Sequence, residues 1–193
     1  MKRIDFKKIL KDLNKKNVAL IGHMGSGKSL IGKLISEKFN ISHVDSDLEI
    51  VKYTKMSINE IFIQKGEKYF RDTESKIVKN LLLKNNIILS LGGGSILDPS
   101  IRGMLQKYSV TFFLDIKLTE LEKRLKNTNK RPLLQNTNIM DKIKQLDSDR
   151  RKYYLLADIK IRNLIKATDI CQNLVKQLTD LHEKDNQYQP RYA

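Results

Sequence analysis

An α/β fold, with helices covering both faces of a parallel sheet, is what this 193-residue sequence predicts. Three observations carry that reading. Apolar strand patterns alternate with helical ones along most of the chain, the order that a parallel sheet with crossover helices requires. The first strand opens directly onto a glycine-rich turn and a helical pattern. The length suits one domain with a real core, and no internal repeat divides it.

In order, residues 1–16 are basic and read as a mobile or weakly helical extension. Asn17–Ile21 (NVALI) is a buried strand, and Leu30–Ile35 carries helical spacing after the turn. A short second strand, 41–45, ends in acidic residues, and helical patterns follow at about 57–65 and 70–84. The third strand, 86–91, is closed by Gly92-Gly93-Gly94. A helix near 99–107, a fourth strand at 110–114 and a helix at about 118–126 come next. Residues 127–138 are polar, interrupted by Pro132, and suit a mobile lid. A helix at 139–155, a strand at 158–162 and a helix near 168–182 complete the domain, leaving 183–193 as a disordered tail.

The run Gly22-His23-Met24-Gly25-Ser26-Gly27-Lys28-Ser29 is the most informative stretch. Strand, glycine turn and helix start are the context of a phosphate-binding loop. Its glycines let backbone N–H groups converge on phosphate oxygens, helped by the helix dipole. Lys28 reaches the β- and γ-phosphates, and the Ser29 hydroxyl binds Mg2+. The ligand is a nucleoside triphosphate.

Ligands of such sheets sit beyond the C-terminal strand ends. Those ends carry the phosphate loop, Asp45-Ser46-Asp47 and the triple glycine, so all three are expected in one crevice. The third strand ends without a carboxylate, which shifts the metal-side role to Asp45, through a water, and the acceptor-side role to Asp47. The alternative for this acidic triplet is a turn and helix cap. Gly92, Gly93 and Gly94 suggest a ligand approaching bare backbone. Arginine supplies nine of the 37 basic residues, so its positions are informative: Arg71, Arg124, Arg131 and the pair Arg150-Arg151 lie near the other signals. Guanidinium forks bind phosphate or carboxylate in bidentate fashion, and an arginine on a closing lid neutralises a transferring phosphoryl group.

The net charge of +15 is spread as lysine along the chain, with no arginine-rich tract and no aromatic stacking motif. It therefore reads as a solvated surface favouring anionic substrates and not as a specific nucleic-acid site. The single cysteine, Cys171, excludes an internal disulfide, fits a reducing, cytoplasmic setting, and reads as a small buried residue of the last helix. No apolar run approaches the roughly 18 residues of a membrane span, and residues 1–16 lack the apolar centre of a secretory signal.

The ordered set GHMGSGKS, DSD, GEKYFRDTE, SLGGGSI, RPLL and a late Arg–Tyr–Ala–Asp pattern resembles the shikimate kinase family over about residues 17–182. The resemblance implies a five-stranded parallel sheet of the nucleoside monophosphate kinase type, and transfer of the γ-phosphate of ATP to the 3-hydroxyl of shikimate on the route to chorismate. It implies that Gly25 to Leu30 hold ATP, that Ser29 binds Mg2+ directly and that Asp45 does so through water. Asp47, Arg71 and Gly93, with neighbouring Gly92 and Gly94, bind shikimate. Arg131 is the lid arginine on ATP, and Arg124 lies near the adenine. Lys28, Asp47 and Arg131 are the catalytic set. The family's second carboxylate arginine begins an Arg-x-Pro-Leu-Tyr run; Arg150-Arg151-Lys152-Tyr153-Tyr154 lacks the proline, leaving Arg150 or Arg151, with Arg150 preferred for its four-residue spacing to Tyr154. A monomer is expected. The rivals are a gluconate kinase on the same scaffold, a nucleotide-dependent nucleic-acid binder, and a non-catalytic relative.

Overall fold

The computed structural model describes residues 5–126, 138–162 and 166–188. Its sheet has five strands, β1 (Asn17–Ile21), β2 (Ser42–Asp45), β3 (Ile87–Ser90), β4 (Ser109–Asp115) and β5 (Ile159–Arg162), in the order β2-β3-β1-β4-β5. Every neighbouring pair is parallel. The helices among the described residues are α1 (Phe6–Asp12), α2 (Lys28–Phe39), α3 (Ser46–Thr54), α4 (Ile58–Gln64), α5 (Gly66–Leu82), α6 (Pro99–Tyr108), α7 (Leu118–Leu125), α8 (Ile139–Tyr154) and α9 (Ala167–Tyr188).

Successive side chains of a strand point to opposite faces, and β1 obeys this rule. Val18 and Leu20 join a core with α1, α2 and α9, whereas Ala19 and Ile21 join a second core with α5, α6 and Tyr154 of α8. The expected three layers follow directly from that alternation. The start of the sheet is fixed by fully buried Asn17. Its side chain donates to the carbonyls of Leu82 (2.8 Å) and Lys84 (3.1 Å) and accepts from Ser109 Oγ (2.6 Å), so no polar group there is left wanting. A smaller cluster of Ile50, Ile61 and Phe70 holds α3, α4 and α5 together beside the sheet. Its entry is fixed by a capping box, Ser57 with Glu60.

Two expectations about the ends of the domain are corrected. Residues 6–12 are not a loose extension: α1 is capped by Asp5 and buries Phe6, Ile9 and Leu10 against α2 and α9. Its i, i+3, i+4 apolar pattern is masked in the sequence by intervening lysines. Likewise α9 continues past 182 to Tyr188, and His182 bonds Asp12 across the end of α1 at 2.8 Å. The lid assigned to 127–138 lies outside the described residues except for Asn138, which caps α8. No helix among the described residues is long and apolar enough to cross a membrane.

Truncating a buried isoleucine costs about 2–5 kcal/mol. Ile9→Ala is therefore expected to lower the unfolding free energy by that amount in urea titrations, an effect that a mobile extension would not produce.

Candidate active site

The β1–α2 turn builds the first half of the site. Gly27 caps α2 with a left-handed φ of 96°, a conformation that glycine adopts without a steric penalty. The N–H groups of the first helical turn thus open onto the crevice, where anions are favoured. Lys28 is buried, and its Nζ donates to the carbonyls of Gly22 (2.8 Å) and His23 (2.7 Å). Ser29 Oγ donates to Asp45 Oδ2 at 2.5 Å. Asp45 uses its other oxygen, Oδ1, to cap α3 through the N–H groups of Asp47 (2.9 Å) and Leu48 (3.4 Å). The cap uses Oδ1 and leaves Oδ2 with Ser29, so capping α3 does not exclude a metal-side role for Asp45. Paired hard oxygens at a phosphate loop suit Mg2+, which takes few protein ligands and keeps waters and phosphate oxygens.

The second half is a pocket lined by Asp47, Arg71, Gly92, Gly93, Gly94 and Arg150, with Met24, Phe62, Phe70 and Glu74. Met24, Asp47, Gly92 and Gly93 also line the adjoining phosphate-loop pocket. All three strand-end signals therefore meet in one crevice. The triple glycine is explained by close approach, since none of the three has a positive φ. A Cβ on Gly92 would stand 2.7 Å from both Asp47 Oδ1 and Glu74 Oε1, and one on Gly94 would stand 2.3 Å from Arg71 Nη1. One on Gly93 would meet the Gly22 carbonyl at 3.3 Å and Arg150 Nη1 at 3.4 Å.

The two arginines of this pocket differ. Arg71 is held by Glu74 (2.7 Å) and Glu67 (3.1 Å), and these carboxylates raise its pKa against the opposing effect of burial. Arg150 is 3% exposed. Its Nε has no hydrogen-bond partner, its guanidinium bonds the Tyr154 side chain, and it lines the pocket together with Asp47. A buried guanidinium with an unmet donor is costly. Arg151 does not share this position: it forks onto Asp115 (3.2 Å to each oxygen) and reaches Asp147 at 3.4 Å. Arg124 bonds Glu120 (3.0 Å) and the Gly25 carbonyl (3.3 Å), which puts it against the phosphate loop. Arg131 lies outside the described residues.

Sequence reasoning missed several supports. Glu74, only 2% exposed, bridges Arg71 and Ser95 Oγ (2.7 Å); its place three residues after Arg71 on a helix was the available signal. Ser46 Oγ accepts from the Gly92 N–H at 2.9 Å. Tyr154 donates to the Gly93 carbonyl at 2.6 Å, and burial pushes its hydroxyl pKa up, so it stays a donor. His23 of the phosphate loop bonds Asp147 of α8 at 2.8 Å. These pairs lie 46 or more residues apart, except for the two made by Glu74, and local pattern does not reveal them.

Burial first, then nearby Arg150 and Lys28, hold His23 below the usual histidine value of 6.5, against the Asp147 carboxylate that raises it. The unfolded chain therefore binds a proton more readily than the folded one, and this group's contribution to stability is lost as pH falls below about 6.5. The expected result is a urea midpoint that declines from pH 7 to pH 5 less steeply in His23→Gln than in the native chain; parallel curves would exclude His23 as the source.

Comparisons with known proteins agree with this geometry. The family model described as shikimate kinase matches residues 24–179. The chain is 40% identical over 155 residues to the shikimate kinase of Caldicellulosiruptor saccharolyticus, covering 80% of this chain and 90% of that one. It superposes with a TM-score of 0.84 on shikimate kinase from Acinetobacter baumannii in complex with shikimate, at 28% identity, covering 91% of this chain and 98% of that one. A gluconokinase from Sinorhizobium meliloti matches with a TM-score of 0.57 at 14% identity, covering 89% and 95%, a likeness of fold alone. By these matches the chain belongs to the shikimate kinase family.

Proposed function

We propose that the chain transfers the γ-phosphate of ATP to the 3-hydroxyl of shikimate, releasing ADP and shikimate 3-phosphate. The observation that carries this reading is the continuous crevice in which the phosphate loop opens onto a pocket holding Asp47 and two guanidinium groups, Arg71 and Arg150, while its other carboxylate, Glu74, is engaged by Arg71 and Ser95. An acceptor with one carboxylate and several hydroxyls is complementary to that set. Arg150, buried with an unpartnered Nε, takes the acceptor carboxylate together with Arg71. Asp47 accepts from the acceptor hydroxyls and orients the one that attacks. The bare backbone of Gly92–Gly94 lets the ring lie close to the strand end.

On the donor side, N–H groups from Gly25 to Leu30 bind the triphosphate. Lys28 exchanges its two loop carbonyls for phosphate oxygens. Mg2+, when bound, would supply charge neutralisation at the phosphates, and Ser29, directly, and Asp45, through water, would be the residues to hold it. Arg124, which bonds the Gly25 carbonyl of the loop, serves the adenine side, and Arg131 supplies a further positive charge to ATP. Such transfers depend mostly on positioning and electrostatics, with general base catalysis a smaller contribution, so Asp47 acts chiefly by orientation. The reducing cytoplasm is the proposed setting, supported by the free, buried thiol of Cys171, and the working unit is a monomer.

The test is ADP release with ATP and Mg2+ in the presence of shikimate, gluconate or no acceptor. Turnover with shikimate alone is expected, and its absence sinks the reading. Asp47→Asn is expected to lower kcat by about 100-fold or more while ATP affinity stays near native; equal loss of both would mean that Asp47 serves the donor. In Gly94→Ala the new methyl displaces the Arg71 guanidinium, so KM for shikimate should rise roughly tenfold, as the loss of a charged hydrogen bond predicts, with KM for ATP unchanged.

A further inference from the structure

The lysines that look dispersed in the sequence converge in space. Lys7, Lys11, Lys15, Lys16 and Lys107 line a cleft of about 550 Å3, and the remainder of its lining is asparagine and Tyr108. Among the described residues no carboxylate lines it. The cleft lies where β1, β3 and β4 begin, as Lys16 precedes β1, Asn86 precedes β3 and Tyr108 precedes β4. It is therefore on the side of the sheet opposite the crevice at the strands' C-terminal ends.

A structural reason for lysines here is that α1, α5 and α6 all end at this edge, and helix C-termini favour cations. That reason is insufficient. Each helix end carries about half a negative charge, so three of them offset about 1.5 of the five positive charges. Lys15 is engaged in this way, donating to the Gln106 carbonyl at 2.5 Å. The ammonium groups of Lys7 and Lys11 have no partner among the described residues, although like charges one turn apart weaken a helix. An uncompensated positive excess of about three charges remains in a concave site.

The chemistry of the lining narrows the ligand. Lysine presents compact point charges without the planar fork that reads a single carboxylate or guanine edge. The one aromatic ring, Tyr108, is already covered by Lys16 Nζ at 5.0 Å and Lys107 Nζ at 5.1 Å from its centroid. It offers no free platform on which a base could stack, which is what single-stranded nucleic acid requires. Concavity disfavours a flat lipid surface.

We propose that this cleft binds a base-free, phosphate-rich anion: a short chain of inorganic polyphosphate, held by charge alone and remote from the reaction centre. The site does not depend on the kinase reading.

The test is calorimetric titration of the full chain with short-chain polyphosphate, with excess ADP present to occupy the phosphate loop. One-to-one binding is expected. Its log K should fall with log salt with a slope of about −2, as three phosphate contacts predict. The Lys7→Ala/Lys11→Ala/Lys107→Ala variant should lose about tenfold or more in affinity and most of that slope, with ADP-forming turnover unchanged. Should the triple variant fold poorly, Lys11→Glu alone is expected to weaken binding more than Lys11→Ala does. No binding by the native chain under ADP, or equal binding by native and triple variant, overturns the proposal. Tighter binding of a uridine oligonucleotide of equal charge also overturns it, by assigning the cleft to RNA.

Discussion

Bare backbone at the end of β3 is the constraint on which the site geometry depends. Gly92 passes between two carboxylates, Asp47 and Glu74, and Gly94 lies under the Arg71 guanidinium. Between them, Gly93 fills the space separating the phosphate loop from Arg150. A side chain at Gly92 or Gly94 would push a charged group off its position, and one at Gly93 would press on the Gly22 carbonyl of the phosphate loop. The surrounding bonds fix this backbone in turn: Ser46 accepts from the Gly92 N–H, and Tyr154 donates to the Gly93 carbonyl. Glu74 keeps Arg71 oriented, while Arg150 keeps an unmet Nε donor in the same pocket.

The fold was legible wherever apolar period and turn chemistry agreed. All five strands were readable, the central three as near-continuous apolar runs of a sheet buried on both faces; α3 was visible only as the cap signal of the acidic triplet. Reading failed at the two ends. In α1 the apolar residues Phe6, Ile9 and Leu10 are separated by lysines, so composition suggested a solvated arm although the spacing was helical. In α9 the charged stretch after His182 resembled a tail, yet no glycine or proline stops the helix before Tyr188.

The site was legible to the extent that it is built from strand ends. Asp45, Asp47 and the triple glycine each follow a strand, and the geometry of parallel sheets collects such loops on one edge. Arg71 needed a different signal, its place in the GEKYFRDTE run. What local pattern could not reveal was partnership across the chain: His23 with Asp147, 124 residues apart, and Tyr154 with Gly93, 61 apart. The choice between Arg150 and Arg151 was of the same kind, because only packing decides which of two adjacent arginines turns inward and which forks onto Asp115. Lysine was misjudged differently: four of the five cleft lysines belong to the basic stretch 1–16, and only folding brings Lys107 beside them.

The contact between α1 and α9 bears on how the molecule is assembled as it is made. Asp12 and His182 stand 170 positions apart and touch at 2.8 Å, and the layer they close includes Phe6, Ile9 and Leu10 from one helix and Leu174 and Leu178 from the other. A ribosome delivers the first partner long before the second. Until the later helix emerges, α1 and α2 cover only part of that side of the nascent sheet, and closure of so long a loop is slow. The polypeptide thus acquires its full cohesion only late in synthesis, and during that interval its apolar flank is open to chaperones.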